Sequence, residues 1–122
     1  MTWFKVDDGF NSHPKTRRAG LAAVGLWTVA GSWSAQHKQD GFVPDWFATS
    51  WPQGRRLAAL LVTAGLWETS VAAGEKGWRF RDWDDYQQSL AEIEREREHA
   101  RERQRKFREK RQKARLEAVP DP

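Results

Sequence analysis

The chain of 122 residues has no cysteine, one methionine, one tyrosine and three histidines. Without cysteine there is no disulfide scaffold and no thiolate metal site. His13, His37 and His99 share no metal-ligand spacing, so no metal is expected. Long apolar runs are also missing, and none approaches the ~18 residues of a membrane-spanning helix. The opening run MTWFKVDDGF places acids where a signal peptide needs an apolar core, so no export signal is expected. The phosphate-cradling patterns GxxxxGK[ST] and GxGxxG are absent, as is the nucleophile context GxSxG. Asp82, Asp84 and Asp85 are the densest carboxylate cluster before the tail. Acids there suit the positive end of a helix better than catalysis or metal binding. The expectation is a non-enzymatic protein without a cofactor.

Aromatics are abundant: eight tryptophans and six phenylalanines. That is too many for a disordered chain and predicts an aromatic-rich core. Composition shifts near Leu90. Residues 1–89 hold all eight tryptophans and all nine glycines. They carry ten basic and nine acidic residues, a net of +1, whereas residues 90–122 carry eleven and eight, a net of +3. The predicted organisation is a globular domain over 1–89 and a charged helical tail over 90–122.

Periodicity divides the first part further. TWFKV, from Thr2 to Val6, reads as a short strand. Ser12 is a candidate N-cap for a helix starting near Pro14. Leu21, Val24, Trp27, Ala30 and Trp33 recur every three residues, which predicts a helix to about His37, with a possible break at Gly20. QDGFVP reads as a turn and an extended segment. Asp45 to Ser50 form a short helix, and Pro52 suits the first position of the next one. Leu57, Leu60, Leu61 and Ala64 give that next helix one apolar face, with Gly65 as its C-terminal cap. Ala58, Ala59, Val62 and Thr63 are placed on its outward face. LWETS and GWRFRDW are strand-like, and VAAGEKG between them holds the glycines of a hairpin turn. The predicted fold is mainly α with a small β-hairpin: a winged helix-turn-helix followed by a long charged C-terminal helix.

In the tail, Tyr86, Ile93, Ala100, Phe107 and Ala114 are seven apart. The second row, Leu90, Arg97, Gln104, Arg111 and Ala118, is mostly polar, which weakens a coiled coil. Glu102 with Lys106, Arg105 with Glu109 and Glu109 with Lys113 are i,i+4 pairs. From Gln104 to Arg115 there are seven basic residues and one acid. Three roles stay open: a solvated helix, a self-associating coiled coil, or a basic arm touching phosphates through Arg105, Lys106, Arg108, Lys110, Arg111 and Lys113.

The helix-turn-helix order directs attention to the start of the second helix, which enters the DNA major groove in such domains. Gln53, Arg55 and Arg56 stand there. Arginine binds guanine edges or phosphate with two hydrogen bonds. Thr49 and Ser50 precede them in the turn and can meet phosphates. Lys76 is placed at the wing tip, with Arg79 and Arg81 along the wing strand. The plainer alternative is that these are ordinary solvated charges, and that the apolar outward face binds protein.

The runs WFKVDDGFNSHPK, GLW, AGSWS, DGFVP, RLAALLVTAGLWE and GWRFRDWDDYQ resemble the N-terminal domain of phage replisome organiser proteins, which is similar to the DnaD-type winged-helix domain. The resemblance covers about residues 2–89. It rests on structural positions, chiefly Trp3, Trp27, Gly41, Leu66, Trp78 and Trp83. It implies a cytoplasmic protein of a bacterial host cell that binds double-stranded DNA in replication initiation and engages a helicase or helicase loader. No catalytic residue is carried over. Members commonly continue into a second domain, where this chain has its charged helix. A protein-interaction module, assembling copies of itself, and a small transcriptional regulator remain the alternatives.

Overall fold

The computed structural model of the chain describes residues 3–87 and 90–117. The chain divides into two compact units, the first ending at Gln87. The first unit has the element order α1 (Pro14–Ala19), α2 (Leu21–Gln36), β1 (Phe42–Pro44), α3 (Asp45–Thr49), α4 (Gly54–Ala64), β2 (Trp67–Ala72), β3 (Glu75–Phe80) and α5 (Trp83–Tyr86), after one 3-10 turn at Phe10–Ser12. The second unit is the helix α6 (Leu90–Glu117). The protein is thus mainly helical, with a small antiparallel sheet of three strands in the order β1-β3-β2.

Local chemistry accounts for most boundaries. Pro14 opens α1, and its N-cap is His13, whose Nδ1 accepts from the Lys15 N–H at 3.1 Å. The cap expected at Ser12 is therefore displaced by one residue. Gly20, at φ 87° and ψ 161°, breaks the predicted long helix into α1 and α2. An L side chain resists that conformation, so the break belongs to the glycine. Gly65 ends α4 in the left-handed region, and the Leu66 N–H returns to the Leu61 carbonyl at 3.0 Å. That is the glycine-terminated motif that satisfies the last carbonyls of a helix. Ala73 and Gly74, both at positive φ, make the two-residue hairpin turn between β2 and β3.

Two elements differ from the sequence reading. Residues 3–6 of the run read as a strand form none, and Thr2 lies outside the described residues. The strand that joins the hairpin is β1, with Val43 opposite Trp78 and Pro44 opposite Gly77. Phe4 instead packs by its ring, 5.0 Å from Trp27 and 5.8 Å from Phe80. Helix α4 starts at Gly54, not at Pro52. Gln53 is its N-cap residue in the left-handed conformation, at φ 57°, and Pro52 stays in the turn.

The core lies between α2, α4 and the sheet. Leu26, Trp27, Ala30, Val43, Leu57, Ala58, Leu61, Trp67, Trp78, Phe80 and Trp83 are all buried in one cluster. Burying a side chain the size of leucine contributes roughly 1.5–3 kcal/mol. Ala58, expected to face outward, is fully buried, while Leu60 is partly exposed. The inward face of α4 is thus rotated from the predicted one toward Leu57, Ala58, Leu61 and Ala64. Only some tryptophans serve the core: Trp3, Trp46 and Trp51 are exposed.

In the second unit α6 runs for 28 residues with almost every side chain in solvent. Glu102 holds Lys106 at 3.7 Å and Arg105 holds Glu109 at 3.9 Å. Glu109 thus turns to Arg105, and among the described residues it makes no ion pair with Lys113. The apolar row does not begin at Tyr86, which sits in α5 and is followed by Gln87 in extended conformation. Ala118, of the second row, lies outside the described residues. Phe107 is exposed, with the Arg111 guanidinium 5.9 Å from its ring centre.

Candidate nucleic-acid interface

The candidate surface is built where α3 meets α4. Ala48 of α3 is fully buried, and Gly54 approaches it so closely that a Cβ on residue 54 would overlap the Ala48 carbonyl. This contact sets the turn Ser50–Gln53 between the helices. The Gly54 N–H donates to the Trp51 carbonyl at 2.9 Å, and the Leu57 N–H to the Gln53 carbonyl at 2.9 Å. The first turn of α4 is pinned from both sides, and its polar side chains are carried outward.

Thr49, Gln53, Arg55 and Arg56 come together in one shallow depression, with Trp51, Gly54 and Ala59. Arg55 also lines a second depression, with Asp45, Thr69, Val71, Lys76 and Trp78. Arg55 is therefore common to both, and one continuous surface runs from the start of α4 to the hairpin. The side chains are preset. Arg56 Nη1 donates to Gln53 Oε1 at 2.6 Å, and Arg55 Nη2 donates to Asp45 Oδ2 at 3.3 Å. The Thr49 hydroxyl donates to the Asp45 carbonyl at 2.9 Å. The Ser50 hydroxyl donates to the Phe47 carbonyl. Both hydroxyls donate inside α3, and the Ser50 N–H donates to the Trp46 and Phe47 carbonyls, so a phosphate would meet these donors already engaged.

Lys76 and Arg79 separate. Strand alternation places Lys76 on the face of β3 shared by Trp78, and Arg79 on the other. Lys76 pairs in register with Val71, next to the turn-closing pair of Ala72 and Glu75, so it is in the strand and not at the tip. Arg79 Nη2 lies 3.9 Å from both Asp40 and Asp84. Arg81 lies 3.8 Å from Glu68. The structure thus gathers Thr49, Gln53, Arg55, Arg56 and Lys76 and leaves Arg79 among carboxylates on another face.

Of the tail candidates, Arg105 and Lys106 are engaged with glutamates, and Arg111 lies over Phe107. Arg108, Lys110 and Lys113 are exposed, without an ion-pair partner among the described residues.

Sequence reading missed two features of this surface. One is the clamp of Asp45 on Arg55, ten residues apart, which only the crossing of α3 and α4 creates. The other is the aromatic group beside it. Trp33, Trp46, Phe47 and Trp51 form a continuous set of ring contacts at 5.0–6.4 Å. The spacing in DWFATSW was the available signal, since three large aromatics in one short helix and its exit cannot all face inward.

A pocket of about 70 Å³ lies over Phe10, Trp27, Phe80 and Trp83, rimmed by Lys5, His13 and Lys15. Small-molecule sites usually need roughly 300 Å³ or more, so it is too small for one. Among the described residues no group of three His, Asp or Glu is placed to hold a metal ion, and no helix is long and apolar enough to cross a membrane. Comparisons with protein-family models, with curated proteins and with solved structures give no match.

Proposed function

We propose that the first unit is a winged helix-turn-helix domain that binds double-stranded DNA without catalysing a reaction. The observation that carries this reading is the shared position of Arg55, which joins the start of α4 to Lys76 in one basic surface. The element order supports it: two helices, a strand, two further helices and a hairpin, with the first strand paired to the last. In this reading α4 is the groove helix, Gln53, Arg55 and Arg56 meet bases or phosphates, and Lys76 meets the backbone. The short side chains that follow, Ala59 and Thr63, offer few hydrogen bonds to base edges, so phosphate contacts supply most of the affinity.

A role in replication initiation, with a helicase or helicase loader as partner, rests on the resemblance of residues 2–89 to phage replisome organisers. The tail would add nonspecific affinity or pair two copies.

The test is binding of a random-sequence 20-base-pair duplex to the full chain and to its Arg55→Ala, Arg56→Ala double variant, at several salt concentrations. Loss of two phosphate contacts should lower the slope of log affinity against log salt by about 2, with a drop of about tenfold or more at low salt. Unchanged affinity and slope would overturn the assignment of this surface and favour a protein-docking module.

A further inference from the structure

The strongest feature left unexplained is the aromatic group at the edge of the basic surface. Trp46, in α3, is 57% exposed, and Trp51, just after it, is 43% exposed. A folded domain ordinarily buries indoles first, because they carry the largest apolar area. Here two remain in solvent, and they are held in place. Trp33 meets Trp46 edge-on, with centroids 5.5 Å apart and planes at 88°. Phe47 lies nearly parallel to Trp33 at 5.0 Å and braces Trp51 at 6.4 Å. The half-buried Trp33 and Phe47 form the support, and the outer indoles present their surfaces to solvent. The Trp51 backbone is fixed as well, donating to Ala48 at 3.3 Å and accepting from Gly54 at 2.9 Å.

Trp46 and Trp51 share Phe47 as a ring neighbour, at 6.2 Å and 6.4 Å, and the charge beside Trp51 selects the occupant. Trp51 shares its depression with Arg55, Arg56 and Gln53, so an indole, two guanidinium groups and an amide converge on the same space. An apolar protein partner has no use for two arginines there. A chain of phosphates bearing planar, unpaired bases uses both kinds of group. Every base has a π face, so stacking on an aromatic side chain is tolerant of sequence, while the cations follow the backbone. Bases inside a duplex are already stacked on each other and cannot reach these rings.

We propose that Trp46 and Trp51 form a stacking platform for unpaired bases, so that this face binds single-stranded DNA. The inference rests on the duplex-binding reading only for the phosphate contacts of Arg55 and Arg56. The platform would capture the strand exposed when a duplex opens next to the bound domain.

The experiment measures anisotropy of a fluorescein-labelled 20-nucleotide oligo(dT), and of a labelled 20-base-pair duplex, with the full chain. The variants are the double substitutions Trp46→Leu, Trp51→Leu and Trp46→Phe, Trp51→Phe, each checked for an unchanged far-ultraviolet circular dichroism spectrum and cooperative melting. The expected result is that the leucine pair weakens oligo(dT) binding about tenfold or more and weakens duplex binding several-fold less, since Trp51 lines the depression that the duplex also meets while no base in a duplex can stack on it. The phenylalanine pair keeps an aromatic face and should retain most of the oligo(dT) affinity. Unchanged oligo(dT) binding by the leucine pair overturns the proposal, as does an equal loss on duplex and single strand. Duplex binding by the wild-type chain without oligo(dT) binding overturns it too and leaves the duplex reading intact. Binding of neither nucleic acid overturns both, and the exposed indoles would then be a protein-docking surface.

Discussion

Asp45 holds Arg55 across the junction of the two helices, Oδ2 to Nη2 at 3.3 Å. Both side chains are well exposed, at 42% and 73%. An exposed pair of this kind contributes about 0–1 kcal/mol to stability. Its larger effect is on the candidate surface, because Asp45 sits in the same depression as Arg55 and Lys76 and lowers the positive field there. Asp45→Asn should therefore tighten duplex binding about threefold at low salt, and the gain should fade as salt rises. Asp45 also opens α3, where its charge suits the helix N-terminus, so the same change should cost about 0.3–1 kcal/mol in stability. Fluorescence anisotropy and thermal melting read the two effects separately. Weaker binding by the variant would place the DNA elsewhere.

Lys76 and Arg79 are three residues apart in β3, yet they serve different ends. Lys76→Ala should weaken duplex binding uniformly across sequences and lower the salt slope by about 1. Arg79→Ala should leave binding unchanged. It removes the counter-charge of Asp40 and Asp84, and it should lower the melting temperature by a few degrees, since a kilocalorie shifts a domain of this size by about 4–8 °C. Measuring both variants in one salt series separates the faces of the sheet. The reverse pattern, with Arg79 needed for binding and Lys76 dispensable, would turn the bound DNA to the other face.

Sequence pattern identified the elements whose signal is local. The break at Gly20, the cap at Gly65 and the hairpin around Gly74 all follow from residues that tolerate a backbone others resist. The alternation of Trp78 and Phe80 against Arg79 was also legible, but the sequence reading puts Lys76 at the wing tip and groups it with Arg79 on DNA, and only the register with Val71 puts it in the strand on the Trp78 side. Pairings across the chain were not legible. Residues 3–6 have the composition of a strand, but the ring of Phe4 packs into the core against Trp27 and Phe80 and the Lys5 backbone bonds to the Gln87 side chain instead of to a strand. Ala58 is small enough to suit either face, and the close crossing of α3 at Gly54 decides that it turns inward. Tryptophan in the core and tryptophan in a binding surface look alike in sequence. Only the packing shows Trp67 enclosed and Trp46 in solvent.

Beside the packing of Phe4, the N-terminal segment is held by hydrogen bonds to the Gln87 side chain. Gln87 Nε2 donates to the Lys5 carbonyl at 2.7 Å, and the Lys5 N–H donates to Gln87 Oε1 at 2.9 Å. This amide pair stands in for the ladder that the segment lacks. Gln87→Ala removes both bonds and should cost about 1–2 kcal/mol, given about 1 kcal/mol for each net hydrogen bond. Hydrogen exchange at the Lys5 amide should accelerate by about tenfold or more, while amides of β3 keep most of their protection. Gln87→Glu keeps the acceptor and loses the donor, so it should give an intermediate rate. Equal exchange at Lys5 in all three proteins would show that Phe4 packing alone fixes the segment.

Gly54 and Gly74 test two different demands that a fold makes on glycine. Gly74 has φ 80° and open space around it, so Gly74→Ala meets only backbone strain, about 1–2 kcal/mol. Gly54 has an ordinary helical backbone, but its added methyl would overlap the Ala48 carbonyl and come within 3.2 Å of the Thr49 Cα. Both neighbours are backbone and cannot rotate away. Gly54→Ala must therefore push α4 from α3, with a cost at the upper end of the roughly 1–3 kcal/mol seen for overpacking. The melting temperature should fall by at least about 10 °C, more than for Gly74→Ala. The displacement also moves Arg55 away from Lys76 and so splits the surface they share, and the surviving folded protein should bind duplex more weakly. Gly74→Ala, far from that junction in the turn, should melt earlier than wild type and bind DNA as before. A Gly54→Ala protein with wild-type melting and wild-type binding would mean that the two helices are free to separate, and the preset geometry of Arg55 and Arg56 would then not be what the duplex meets.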